Sequence, residues 1–116
     1  MQSQSIKAPT KAERKRMSLI VEIGCIACIM DGKDKAKCGP PTVHHLLDGG
    51  VRRGHSFTIC LGAWHHQGYP RPLLSRRQAT ELWGPSLAEG SKPFHAKYGT
   101  DSELLEYQNH LISESL

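Results

Sequence analysis

Apolar residues near the start of the chain recur at helical spacing. Met17, Ile20, Val21 and Gly24 stand at i, i+3, i+4 and i+7, so one face of a helix can pack while Lys11, Arg14 and Lys15 fall on the other. Thr10 with Glu13 makes a capping box, in which each side chain satisfies a backbone amide of the first turn. Gly24 then ends a helix predicted over 10–23. The period changes downstream. Thr42 to Leu47 and Phe57 to Leu61 are short β-prone runs, and Asp48-Gly49-Gly50 between them supplies turn chemistry, so the two read as antiparallel strands. A helix opens at His65-His66, but Gly68-Tyr69-Pro70-Arg71-Pro72 cuts it short or forces a break. Ser75 with Gln78 caps a further helix through about Leu82, which Trp83-Gly84-Pro85 ends. Residues 90–99 read as a turn with one or two helical turns. Thr100 with Glu103 opens a last helix to about Ile112, packed through Leu104, Leu105, Tyr107, Leu111 and Ile112. Residues 1–9 are polar and read as a mobile tail, leaving one domain over 10–116.

Composition adds a constraint. With 116 residues and 38% hydrophobic content, the core is small, and metal staples fit such a chain. No apolar run approaches a membrane span and no signal-peptide pattern opens the chain, so a soluble cytoplasmic protein is expected. In that reducing setting the four cysteines read as metal ligands or free thiols before disulfides. Charge is divided unevenly. Residues 1–98 carry all 15 Lys and Arg against seven acids, whereas 99–116 carry four acids and no Lys or Arg. A basic body suits DNA, although a solvated surface looks the same by charge alone.

The candidate chemistry is concentrated. Five of the seven histidines lie between Val43 and Gln67, in the pairs His44-His45 and His65-His66 with His55 between them. Strand, loop, strand and helix with histidines at both ends outline an α+β fold: a small ββα-metal (HNH, or His-Me finger) core, zinc-stabilised and flanked by helices. Cys25-x-x-Cys28 lets two thiolates face one ion, and the end of the second strand with the helix start can supply a second pair. The predicted structural zinc set is Cys25, Cys28, Cys60 and His65, with Cys38 a competing fourth ligand. A redox pair is the other reading of the CxxC, but no thioredoxin-like βαβ pattern surrounds it.

Phosphodiester hydrolysis needs an activated water and a cation to stabilise oxyanions. Neighbours on a strand face opposite ways, so His44 and His45 take different roles: His45 as general base, His44 with His66 as ligands of a divalent ion, magnesium or manganese. His55 can orient the base or touch the ion. Arg52 and Arg53 can clamp phosphate in DNA, or be an ordinary exposed turn. His95 and His110 read as structural and solvent-exposed, Trp64 and Trp83 as packing residues. The rival reading is a non-catalytic, zinc-stabilised DNA- or protein-binding module, which the lack of an evident acidic ligand near the histidines favours.

GCIAC at 24–28, VHHLLDGG at 43–50, RRGH at 52–55 and WHHQG at 64–68 together resemble the recombination-enhancement (Ref) family of phage nucleases. GPSLAEGSKPFHAKYGTDSELL at 84–105 resembles the tail of its smaller members, and the likeness runs from about Lys11 to Ile112. The resemblance implies an HNH-type DNA endonuclease with bound zinc, working in the host cytoplasm. It also implies dependence on a RecA filament, the target being RecA-paired DNA or a displacement loop. Two departures stand out. The family usually has a cysteine where this chain has Gly62, with Cys60 one pleat earlier, ~6.6 Å away along a strand; the zinc site is therefore rearranged, recruits Cys38, or is weaker. The best-known member also carries a long basic extension, whereas about ten residues precede the first helix here; if that extension drives binding of DNA or filament, this chain binds more weakly or needs help from another chain.

Overall fold

The computed structural model describes residues 7–35, 37–70 and 73–116. Most of the expected tail (1–6), and Arg71-Pro72 of the expected helix break, lie outside them. The architecture is α+β. Helix α1 (Lys11–Ile23) leads through Gly24 into a five-residue helix α2 (Ile26–Met30) that the sequence pattern did not announce. Strand β1 (Pro41–His45) follows, then β2 (Leu47–Asp48), β3 (Val51–Arg52) and β4 (Thr58–Gly62). Helices α3 (Ala63–Gln67) and α4 (Arg76–Trp83), a 3₁₀ turn at Leu87–Glu89, α5 (Ser91–Tyr98) and α6 (Asp101–Ser115) complete the order. All three capping boxes form, at Thr10, Ser75 and Thr100.

Strand β1 pairs antiparallel with β4, from Pro41↔Gly62 to His45↔Thr58. The first strand does not run unbroken to Leu47 as expected. The Leu46 N–H donates to the Phe57 carbonyl, and the Leu46 carbonyl accepts from the Arg53 N–H. One residue thus joins two partners: the ladder forks, and β2–β3 projects as a small hairpin. Gly49 and Gly50 turn it with φ of 60° and 84°, values that only glycine adopts cheaply. The excursion between β3 and β4 is what brings His55 back over β1.

Every residue of β4 is buried. Ile20, Ile26, Leu46, Ile59, Leu61, Trp64, Phe94 and Leu104 form the centre of the core. The outer edge of β4 is closed by a side chain: buried Gln108 of α6 accepts from the Cys60 N–H at 2.8 Å, which blocks strand addition there. Arg16 binds α1 to the same strand, donating to the Thr58 carbonyl at 2.7 Å and to Asn109 Oδ1 of α6 at 2.7 Å.

Candidate metal centre and histidine cluster

Helix α2 with its N-cap, the 38–40 loop and α3 bring together four atoms that could ligate a metal. Cys25 caps α2, and Cys28 lies within it. Helix α3 has no side-chain cap. Its first amides are satisfied by the 38–40 loop instead: the Ala63 N–H donates to the Pro40 carbonyl and the Trp64 N–H to the Cys38 carbonyl, both at 3.0 Å. That exchange presses Cys38 against the helix start and beside His65. The sulfurs of Cys25, Cys28 and Cys38 and a His65 ring nitrogen all lie within 4.8 Å of one another, in fully buried residues.

The His65 ring is oriented for this role. Its Nε2 lies 2.7 Å from the Trp83 carbonyl, which can only accept, so Nε2 carries the proton. The lone pair of Nδ1 then faces Cys25 Sγ at 3.3 Å and Cys28 Sγ at 3.9 Å. Tyr98 Oη, 3.3 Å from the same Nε2, donates to Asp31 Oδ2 at 2.8 Å, giving the ring the outer support usual for metal-binding histidines. Burial first, and the Asp31 hydrogen bond next, push the Tyr98 hydroxyl's pKa up, so it stays protonated. The thiols are mutually poised. Hydrogen bonding from Cys28 lowers the Cys25 pKa, whereas Cys28 is raised and Cys38 is pushed up to about 12 by the Cys25 charge they solvate. A soft dication would stabilise all three thiolates at once. This Cys₃His set can hold a metal such as zinc.

Cys60, which the sequence reading put in the zinc set, is not in this group. It sits opposite Val43, one pleat back from Gly62, with burial pushing its thiol up to about 12. Cys38 is the fourth member of the group instead. A Cβ added at Gly62 would lie 2.4 Å from Cys38 Sγ, so the loop sulfur fills the space that a side chain at 62 would take.

The other histidines divide across the β1–β4 hairpin. On one face, His44 Nδ1 lies 3.3 Å from His66 Nε2 of α3. The Thr42 hydroxyl donates to the Leu61 carbonyl and so receives the His66 Nδ1–H at 2.8 Å, leaving the His66 Nε2 lone pair aimed at His44. Two imidazoles sharing one ion at ~2.1 Å place their nitrogens ~3.0–3.4 Å apart. On the other face, His45 Nε2 lies 3.0 Å from His55 Nδ1. Burial, then the His66 charge, push His44 down to about 4, while Asp101 pulls the other way. Burial and the Arg52 cation lower His45, and burial lowers His66. Asp101 is thus an acidic group whose field reaches the cluster. Its Oδ1 lies 3.5 Å from His95 Nε2, whose ring donates through Nδ1 to the Gly99 carbonyl at 2.8 Å.

Arg52 and Arg53 stand exposed at β3 and just after it. The Arg53 guanidinium lies 4.3 Å from the Phe57 ring centre. Sequence reasoning missed Thr42 and Tyr98. Period 2 along β1 puts Thr42 on His44's face, a usable signal; nothing in the spacing marks Tyr98. His110 is exposed, beside Glu114 on α6.

A family model described as recombination enhancement, RecA-dependent nuclease matches residues 9–113. The chain belongs to that family. Comparison with curated proteins and with solved structures returned no match. The family's name indicates a RecA-dependent nuclease of recombination, which brings DNA and RecA into the picture. Among the described residues no helix is long and apolar enough to cross a membrane.

Proposed function

We propose that this protein is an HNH-type (ββα-metal) endonuclease that cuts DNA paired by RecA, in displacement loops, during phage recombination. The observation that carries the reading is the corner made by β1, β4 and α3. It sets His44 Nδ1 and His66 Nε2 3.3 Å apart and leaves His45 on the opposite face of the same strand end. His44 and His66 hold a magnesium or manganese ion, and Asp101 adds the negative field that a hard cation prefers. When bound, the ion stabilises charge on the leaving and non-bridging oxygens. His45 takes the proton of the attacking water, and its lowered pKa keeps it neutral at pH 7. Arg52 and Arg53 draw in the phosphate backbone. Cys25, Cys28, Cys38 and His65 hold a structural zinc that fixes α3 and therefore His66.

The test is cleavage of a displacement loop with magnesium, with and without RecA. Cutting only with RecA is expected. Cutting without RecA would keep the nuclease and discard the dependence, and no cutting by fully zinc-loaded protein would favour the binding module.

A second expectation concerns acid. A proton competes with the ion only where imidazole is charged, and His44 stays neutral down to about 4 while His66 is also lowered. Manganese binding to zinc-loaded protein, followed by electron paramagnetic resonance, should therefore hold as pH falls to the ordinary histidine value of about 6.5 and weaken only below it. Appearance of the free-manganese signal already above that ordinary value would remove the His44–His66 pair as ligands.

A further inference from the structure

We propose that the segment ahead of α1 belongs to the catalytic apparatus: the Lys7 carbonyl, acting through His55, fixes the His45 proton on Nε2 and leaves Nδ1 as the basic atom. The inference rests on the reading of His45 as general base. It begins from a backbone oxygen. His55 Nε2 lies 2.8 Å from the Lys7 carbonyl, and a carbonyl only accepts, so this nitrogen carries the hydrogen. A neutral imidazole has one N–H, so His55 Nδ1 presents a lone pair. At 3.0 Å from that lone pair stands His45 Nε2, which must donate to it. One hydrogen is then assigned at each step, and the lone pair of the base emerges at His45 Nδ1.

The segment is held in place to do this. The Arg14 Nη1 donates to the Pro9 carbonyl at 2.8 Å. The Thr10 hydroxyl accepts from the Glu13 N–H at 3.1 Å, and Glu13 Oε1 accepts from the Thr10 N–H at 2.9 Å. Glu13 reaches on through Oε2 to the Ser56 hydroxyl at 3.4 Å, next to His55 in sequence. Carbonyl, ring and loop are clasped by one turn of α1. His55 is therefore a positioning residue. It touches no reacting atom, and it acts by setting the tautomer and tilt of the ring that does, as orienting groups do for catalytic histidines elsewhere.

The experiment uses the full zinc-loaded chain labelled with nitrogen-15 at histidine. Long-range proton–nitrogen spectra should show His45 protonated at Nε2 and bare at Nδ1. His55→Ala should leave zinc content and circular dichroism unchanged, make the His45 ring a tautomer mixture, and lower kcat by ~10²-fold with KM nearly constant. His55→Gln, whose amide offers one acceptor and a donor as the neutral ring does, should recover at least a tenfold part of the loss. A His45 proton on Nδ1 in the unaltered protein would overturn the relay. So would a His55→Ala variant with unchanged kcat and tautomer, measured where His45→Ala is inactive. Cutting by His45→Ala would instead remove the base assignment, and the ring-proton spectra would still decide the relay.

Discussion

Cys38→Ser is expected to give a protein that no longer retains one zinc per chain and has lost most of its thermal stability. The four residues of the Cys₃His group are fully buried, and structural zinc contributes on the order of 10 kcal/mol or more to small domains that depend on it. Losing one thiolate forfeits several kcal/mol of that, and in a domain of this size about 4 kcal/mol lowers Tm by roughly 15 °C. Cys60→Ala is the control. Its sulfur lies outside the ligand group, so it should keep its zinc and lose only the modest stability of a small cavity. Gly62→Ala should reproduce the Cys38→Ser effect without touching a ligand, because the new Cβ would sit 2.4 Å from Cys38 Sγ and 3.1 Å from the Cys38 carbonyl. Zinc counting by metal analysis, with melting curves on the same samples, checks all three. Loss of zinc from Cys60→Ala together with retention by Cys38→Ser would reverse the ligand assignment.

That assignment marks where the sequence stopped being legible. Helix starts were readable because a capping box is local: Thr10, Ser75 and Thr100 each meet a partner three residues on. The β1–β4 pairing was readable from two β-prone runs around a glycine turn. The fork at Leu46 was not, since it depends on how one residue's N–H and carbonyl are shared between Phe57 and Arg53. Helix α2, five residues long, is too short to show a period. The choice between Cys38 and Cys60 had no local signature either. Cys60 was in the expected strand, while Cys38 reaches the site only because the 38–40 carbonyls cap α3. Gly62 was visible as a departure from the family, yet only the fold shows what fills its space. The acid near the histidines was hidden for a similar reason, because Asp101 comes from the first turn of α6. Lys7 contributes through its backbone, which no residue type announces.

His45→Ala is expected to lower DNA cutting by ~10²–10⁴-fold, the usual worth of a general base. It should do so without disturbing the fold or the zinc. His45 is the last residue of β1 and only part-buried, and its ring contacts His55, not the ligands of the Cys₃His site. His66→Ala should also stop cutting, but by a different route, through loss of manganese binding, which His45→Ala should retain. The two variants together separate the base from the ion ligand. The pH profile supplies a further check, with a sign set by burial first and by Arg52 next. A cation disfavours the protonated ring, and burial does the same, so the folded His45 pKa lies below its ordinary value. Cutting should hold steady as pH falls to the ordinary histidine value and decline only below it. Arg52→Ala removes the cation, raises the pKa and should move the acid limb to higher pH, with a weaker hold on DNA besides. Exposed Arg53, whose charge is not among those acting on His45, should on substitution weaken DNA binding without moving the limb. Plasmid cutting across pH 5 to 8 by these variants, alongside zinc content and circular dichroism, measures both effects. Wild-type rates from His45→Ala would end the assignment of this histidine as the base, and an acid limb that ignores Arg52 would place the titrating group elsewhere in the cluster.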